Sequence, residues 1–277
     1  MRGFLELAKP RIALMSALTA LAGYWLAGGR DWVQAGWLAA GTLLAACSTG
    51  TLNQCLEVGP DSRMERTRRR PLPEGRVSLA RAAAFGIFCG AAGLWILFAG
   101  SGSLACALAF ATLAGYVFAY TPLKLVTPQS TWIGAVCGAM PPLIGWAAAA
   151  GSLPAPAWSL FAIQFLWQIP HFLALFWLHR EDYIRAGFQV MPAIDQDGSA
   201  TALQIAVHSL TLCLAGLLPL LIGMAGLRYG FGALVLGAGF ALLGLKASWT
   251  MSHADARRLF LASLLYLPSL YGMLAVL

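Results

Sequence analysis

Runs of about twenty apolar residues follow one another along almost the whole of this 277-residue sequence, and that is the length a helix needs to cross the hydrocarbon core of a bilayer. They fall at 10–28, 34–57, 79–99, 103–120, 131–149, 157–178, 200–223, 229–249 and 258–276. Only Gly100-Ser101-Gly102-Ser103 separates the third from the fourth. A single helix over both would be too long to span, so the run is split there. The spacing predicts an all-α, polytopic membrane bundle of nine transmembrane helices. No intervening loop is long enough to hold a second core, so a single domain is expected over 1–277. Composition agrees: 10% of residues are charged, against roughly 25% in a soluble domain. Glycine and alanine are dense inside the runs, as in Ala91-Ala92-Gly93-Leu94. Such residues let helices approach closely and favour a packed bundle over a wide aqueous pore.

The charges are distributed unevenly. With nine helices, the first terminus and the loops after the second, fourth, sixth and eighth hold sixteen of the eighteen Lys and Arg, and only Arg30 and Arg228 fall on the other side. By the positive-inside bias this predicts a cytoplasmic N-terminus and an external C-terminus. The net charge of +7 is accounted for by anionic headgroups and loop orientation, and no nucleic-acid partner is expected. Six cysteines are scattered through the apolar runs without CxxC spacing and read as small core residues. Lys9-Pro10-Arg11 leads into an apolar run without a small-residue cleavage site, so no cleavable signal is expected.

The most polar stretch is 53–73, at the end of the second run. Asn53, Glu57 and Asp61 are spaced four apart, which sets them along one drifting stripe of a helix. Arg63, Arg66, Arg68, Arg69, Arg70 and Arg76 follow. Carboxylates bind hard divalent cations through oxygen and arginines clamp phosphate, so together they suit a Mg²⁺-bridged diphosphate. The plainer reading is a cytoplasmic loop made basic by topology alone. From the loop by itself the two stand about even.

Three further polar stretches lie on the same side. Tyr120 and Lys124 are four apart at the end of the fourth run, an ordinary pair of interfacial anchors when taken alone. Trp167-Gln168-Ile169-Pro170-His171 lies within the sixth run and is followed by His179, Arg180, Glu181, Asp182 and Tyr183. Eleven residues separate His171 from Asp182, which would put them on one face of a continuous helix. An intramembrane histidine is often only a hydrogen-bonded structural residue, but one next to a proline on the charged side points to a site. Asp195-Gln196-Asp197-Gly198 reads as a cap for the next helix.

Asn53-xxx-Glu57-xxx-Asp61-xx-Met64-x-Arg66-Thr67-xx-Arg70-Pro71-Leu72 resembles the aspartate-rich first motif of the UbiA-type intramembrane prenyltransferases. Its Met-x-Arg-Thr continuation is similar to the haem-modifying branch of that superfamily. Leu7 to Ile12, Thr127-Pro128-Gln129, Gly138 to Trp146, and Trp167 to His171 with Asp182-Tyr183 extend the resemblance over nearly all of Leu7 to Pro192. His171 stands where the wider superfamily usually has an aspartate. Glu57 stands where aspartate is common, Val58-Gly59-Pro60 replaces an Arg-containing stretch, Leu125-Val126 takes the place of basic residues, and Gln189 that of a proline.

The resemblance implies transfer of a farnesyl group from farnesyl diphosphate to the vinyl group of protohaem IX, in a bacterial-type inner membrane with the site facing the cytoplasm and a haem A synthase downstream. Mg²⁺ would be held by Asn53, Glu57, Asp61 and Asp182. The diphosphate would be met by Lys9, Arg11, Arg63, Arg66, Arg70, Lys124 and Arg180, with Tyr120, Tyr183 and His171 lining the substrate pocket. Pro60 disfavours helix at Gly59, so Asp61 is expected from a turn beyond the helix end. Another acceptor, such as a quinone precursor or a tetrapyrrole, stays open. So do two other classes, a transporter, which would show paired repeats with helices broken at midplane, and a non-catalytic haem-handling protein, which would leave the acids and arginines unexplained.

Overall fold

The computed structural model describes residues 2–276; Met1 and Leu277 of the expected 1–277 domain lie outside these. Among the described residues the regular structure is helical throughout, without a strand. The expected segments correspond to α1 (Pro10–Leu26), α2 (Trp32–Leu56), α3 (Leu79–Ser101), α4 (Ser103–Leu123), α5 (Ser130–Ala150), α6 (Ala155–Leu178), α7 (Ser199–Leu221), α8 (Leu227–Thr250) and α9 (His253–Val276). Eight of these, α2 to α9, are long and apolar enough to cross a membrane. The other, α1, has 17 residues, about 25 Å at 1.5 Å per residue, just short of a full span.

Local chemistry sets the helix ends. Pro10 opens α1, where its missing N–H is no loss. Asp31 caps α2 by accepting from the N–H groups of Val33 and Gln34. Gly102, at φ +91°, makes the break between α3 and α4, a conformation open to glycine alone at little cost. Asp195 accepts from Thr201 N and Asp197 from Ser199 N, so the acidic turn does cap α7.

Two departures from sequence expectation shape the site. The chain after α2 turns at Glu57 and re-enters a short helix, Val58–Arg63. Pro60 is tolerated there because the N–H groups of a first turn have no partner within the helix to lose. The second departure is at His179, whose backbone (φ −120°, ψ 26°) ends α6 before a new helix, Arg180–Ala186. His171 and Asp182 therefore do not share the face that a continuous helix would have given them.

Packing rests on close backbone approach. At the α1–α5 crossing a Cβ added to Gly145 would stand 1.7 Å from the carbonyl oxygen of Ala20, and one on Gly23 would stand 2.1 Å from that of Pro142. The same device joins α2 to α3, where a Cβ on Gly93 would lie 2.7 Å from Ala45 N. Lipid tails are as apolar as leucine side chains, so contact distance and dispersion hold such helices together. Leu143, Leu160, Ile163, Leu212, Tyr229 and Leu259 form the main core of α5 to α9. Trp95, Phe118, Leu242 and Leu265 point outward, as a lipid-facing surface requires. Antiparallel neighbours bring the first residues of α1 and the C-terminal ends of α2, α4 and α6 together at one end of the bundle.

Candidate active site

At that end lies a partly open cavity of about 410 Å³, within the roughly 300–1,000 Å³ typical of ligand pockets. Asn53, Glu57, Asp61, Lys9, Arg70 and Lys124 line its polar part. Its other walls are aromatic and aliphatic: Tyr116 and Tyr120 from α4, Phe172 and Phe176 from α6, and Phe188 from the loop beyond the Arg180–Ala186 helix. The four-residue steps predicted from the sequence do bring Asn53, Glu57 and Asp61 to one cavity, even though the helix is interrupted between them.

Each of the three oxygen-bearing residues meets a cation. Lys9 Nζ donates to Asn53 Oδ1 at 3.1 Å. Lys124 Nζ forms an ion pair with Glu57 Oε1, and Arg70 donates to Asp61 Oδ2 at 2.6 Å. Glu57 and Asp61 are almost wholly enclosed, so the cations offset a desolvation cost that the acids would otherwise carry alone.

Charge is finely set here. Burial, with Arg70 nearby, pulls the Lys9 ammonium down to about 7; an arriving anion would hold it in its charged form. Burial works against Lys124 as well, but the Glu57 carboxylate keeps its ammonium above the usual lysine value. Lys124 Nζ also stands 4.8 Å from the centroid of the Tyr120 ring and 5.3 Å from that of Phe188.

Asp61, Glu57 and Asn53 offer the hard oxygen donors that Mg²⁺ favours. Among the described residues no three His, Cys, Asp or Glu side chains gather closely enough to hold a metal by themselves. That suits an ion which keeps waters and substrate oxygens in its shell and takes only one or two carboxylates from the protein. On this chemistry the residues fit Mg²⁺.

Several residues expected at the site lie elsewhere. Asp182, expected as a metal ligand, does not line the cavity. Its carboxylate accepts from the backbone N–H groups of Glu65 and Arg66 and from Arg185. Burial opposes its ionisation, yet those donors hold it below the usual carboxylate range, and the contacts tie it to the arginine loop. Arg180 donates to the carbonyls of Pro192, Asp195 and Gln196 and lies against Trp177, so its guanidinium is committed to the loop before α7. Arg11 and Arg63 are exposed and outside the lining. Arg66 and Tyr183 do line the cavity and approach each other at 3.4 Å.

His171 is also outside the lining, one helical turn from Leu175, which is part of it. Its ring lies between Trp167 and Phe260. Ser263 Oγ donates to Phe260 O at 2.5 Å and lies 2.7 Å from His171 Nδ1. With the serine proton directed to Phe260 O, the contact favours the tautomer protonated at Nδ1.

Sequence reasoning missed Tyr116 and Phe188, which line the cavity. Tyr116 precedes Tyr120 by one helical turn, a spacing that would have found it. No local pattern marked Phe188.

Comparison with known proteins follows the same lines. The model of the UbiA prenyltransferase family matches residues 16–267. The protoheme IX farnesyltransferase of Solibacter usitatus is 42% identical over 285 residues, covering 99% of this chain and 98% of that protein. Among solved structures, digeranylgeranylglyceryl phosphate synthase superposes with a TM-score of 0.79 at 16% identity, over 99% of this chain and 97% of the other. A UbiA homolog from Archaeoglobus fulgidus bound to GPP and Mg²⁺ gives 0.72 at 14% identity, over 99% and 100%. At such identities the two structures speak for the fold.

Proposed function

Because this chain belongs to the UbiA prenyltransferase family, we propose that it moves the farnesyl group of farnesyl diphosphate to the vinyl group of protohaem IX, the reaction for which its relative is named. One observation carries this reading. Three oxygen donors, each meeting a cation, face a single cavity whose remaining walls are apolar and aromatic. An ionic headgroup and a hydrocarbon tail are thereby accommodated together.

Asn53, Glu57 and Asp61 would hold the Mg²⁺. When bound, the ion supplies Lewis-acid charge to the diphosphate leaving group. Lys9, Arg66, Arg70 and Lys124 meet the remaining phosphate oxygens and stabilise the charge that builds as the C1–O bond breaks. Tyr116, Tyr120 and Phe188 offer ring faces to the allylic cation, and the apolar walls around them limit the water that reaches it. C1 then bonds to the terminal vinyl carbon, water adds to the carbon beside the macrocycle with loss of a proton, and pyrophosphate departs. His171, deeper than the acids, belongs on the acceptor side.

Purified protein incubated with labelled farnesyl diphosphate, protohaem and Mg²⁺ should yield a farnesylated haem, and chelation of the metal should stop it. In the same assay His171→Ala should raise the haem concentration needed for half-maximal rate about tenfold, the scale of one lost ligand contact, while sparing the dependence on Mg²⁺ and farnesyl diphosphate. Labelled product on another acceptor only would overturn the haem assignment. Loss of Mg²⁺ dependence in His171→Ala, with haem use intact, would overturn the placement of the histidine.

The chain is a multi-pass membrane protein, and we place it in a bacterial inner membrane with the cavity facing the cytoplasm. The basic residues near the cavity support that orientation. A topology reporter fused after Leu277 should behave as periplasmic and one inserted near Glu74 as cytoplasmic; reversed labelling would refute it.

A further inference from the structure

The C-terminal half of α4 departs from regular helix. Gly115–Tyr120 forms a π-helical turn, a widened turn often found at functional sites. The first residue beyond it, Thr121, is almost completely buried. Its backbone N–H and its hydroxyl both donate to the carbonyl oxygen of Tyr116, the hydroxyl at 2.8 Å. Asn53 Nδ2 donates to the same Oγ1 at 3.2 Å.

Counting protons settles which way the asparagine faces. A threonine hydroxyl has one proton, and here the Tyr116 carbonyl takes it. What remains toward Asn53 is an acceptor, which only the NH₂ end of the amide can satisfy. The carbonyl oxygen Oδ1 must therefore turn away, toward the cavity, where Lys9 Nζ meets it at 3.1 Å. With a partner at Oγ1 that offered a proton, the amide would be drawn to turn its oxygen to Thr121 and its nitrogen to the cavity, against the Lys9 ammonium, and a hard cation does not bind that nitrogen.

We propose that Thr121 is a positioning residue: through the π turn it fixes the Asn53 amide with its oxygen facing the metal side of the cavity. The same turn carries Tyr116 and Tyr120 on the cavity wall, their ring centroids 4.6 Å apart. One hydroxyl thus ties the donor geometry of α2 to the aromatic wall of α4. The inference rests on the reading of Asn53 as an oxygen donor to Mg²⁺.

The test is metal binding without turnover: Mn²⁺ titrated into detergent-purified protein with inorganic pyrophosphate, followed by the loss of the free-ion paramagnetic resonance signal. Thr121→Val keeps the shape and removes the hydroxyl. It should weaken Mn²⁺ binding about tenfold or more, the scale for loss of a group that orients a ligand, and leave the elution profile of the folded protein unchanged. Thr121→Ser retains the hydroxyl and should restore affinity to within about twofold. Unchanged affinity in Thr121→Val overturns the proposal, and so does equal weakening in Thr121→Ser, which would assign the effect to the γ-methyl group. Should Thr121→Val fail to fold, Thr121→Ala removes the same hydroxyl and carries the same expectation. Asn53→Ala should weaken Mn²⁺ at least as much as Thr121→Val. If it leaves affinity unchanged, the metal reading of Asn53 itself fails, and the proposal with it.

Discussion

Asp61→Asn and Glu57→Gln should each lower farnesyl transfer by about a thousandfold or more, the scale seen when one preorganised charge is removed from an ionising centre. Both residues line the cavity and are almost wholly enclosed. The amides keep the shape and one oxygen of each side chain but lose the negative charge that would draw in a divalent cation. Lys124 and Arg70 then meet neutral partners, so the variants should still be recovered folded from detergent. Product formation under saturating Mg²⁺ is the measurement. Turnover within tenfold of wild type in both variants would remove the acids from the mechanism.

The other large effect is expected far from the polar cavity. Gly145→Ala places a methyl group 1.7 Å from the carbonyl oxygen of Ala20, a separation no pair of non-bonded atoms sustains. The obstacle is backbone, which cannot swing aside as a side chain would, so α1 and α5 must move apart. Overpacking usually costs about 1–3 kcal/mol and occasionally more; a rigid crossing puts this substitution at the upper end. Gly145→Ala should be recovered mostly as aggregate, with the remainder melting well below wild type. A monodisperse protein with unchanged melting temperature would mean the crossing is looser than its distances imply.

Much of this was legible in the sequence, because in a bilayer hydropathy and length alone oblige a segment to be helical. The Gly102 break, the Asp195–Asp197 cap and the convergence of Asn53, Glu57 and Asp61 all follow from local rules. What was not legible came from pairings distant in sequence. Periodicity joined His171 to Asp182 because it assumes an unbroken helix. The break at His179 goes with the short helix beyond it, whose Asp182 is held by the backbone of Glu65 and Arg66, 117 and 116 residues away. Arg180 looked like a phosphate clamp because nothing in its neighbours revealed that three carbonyls of the loop before α7 would claim it. The π turn has no periodic signature, so Thr121 looked like an ordinary helix-end residue.

The one-to-one pairing of Lys124 with Glu57 and Arg70 with Asp61 also bears on how such a sequence can drift over generations. Stranding one partner of a buried pair costs about 3–5 kcal/mol, a large share of the 5–15 kcal/mol that holds a typical domain together. A lineage that neutralised Lys124 would be left with a lone carboxylate in a low-dielectric wall, and one that neutralised Glu57 with a lone ammonium. Either step alone costs stability in addition to chemistry. Change at these positions is therefore confined to paired replacement or to exchange within a charge type, and aspartate or glutamate at position 57 is the kind of variation that remains open.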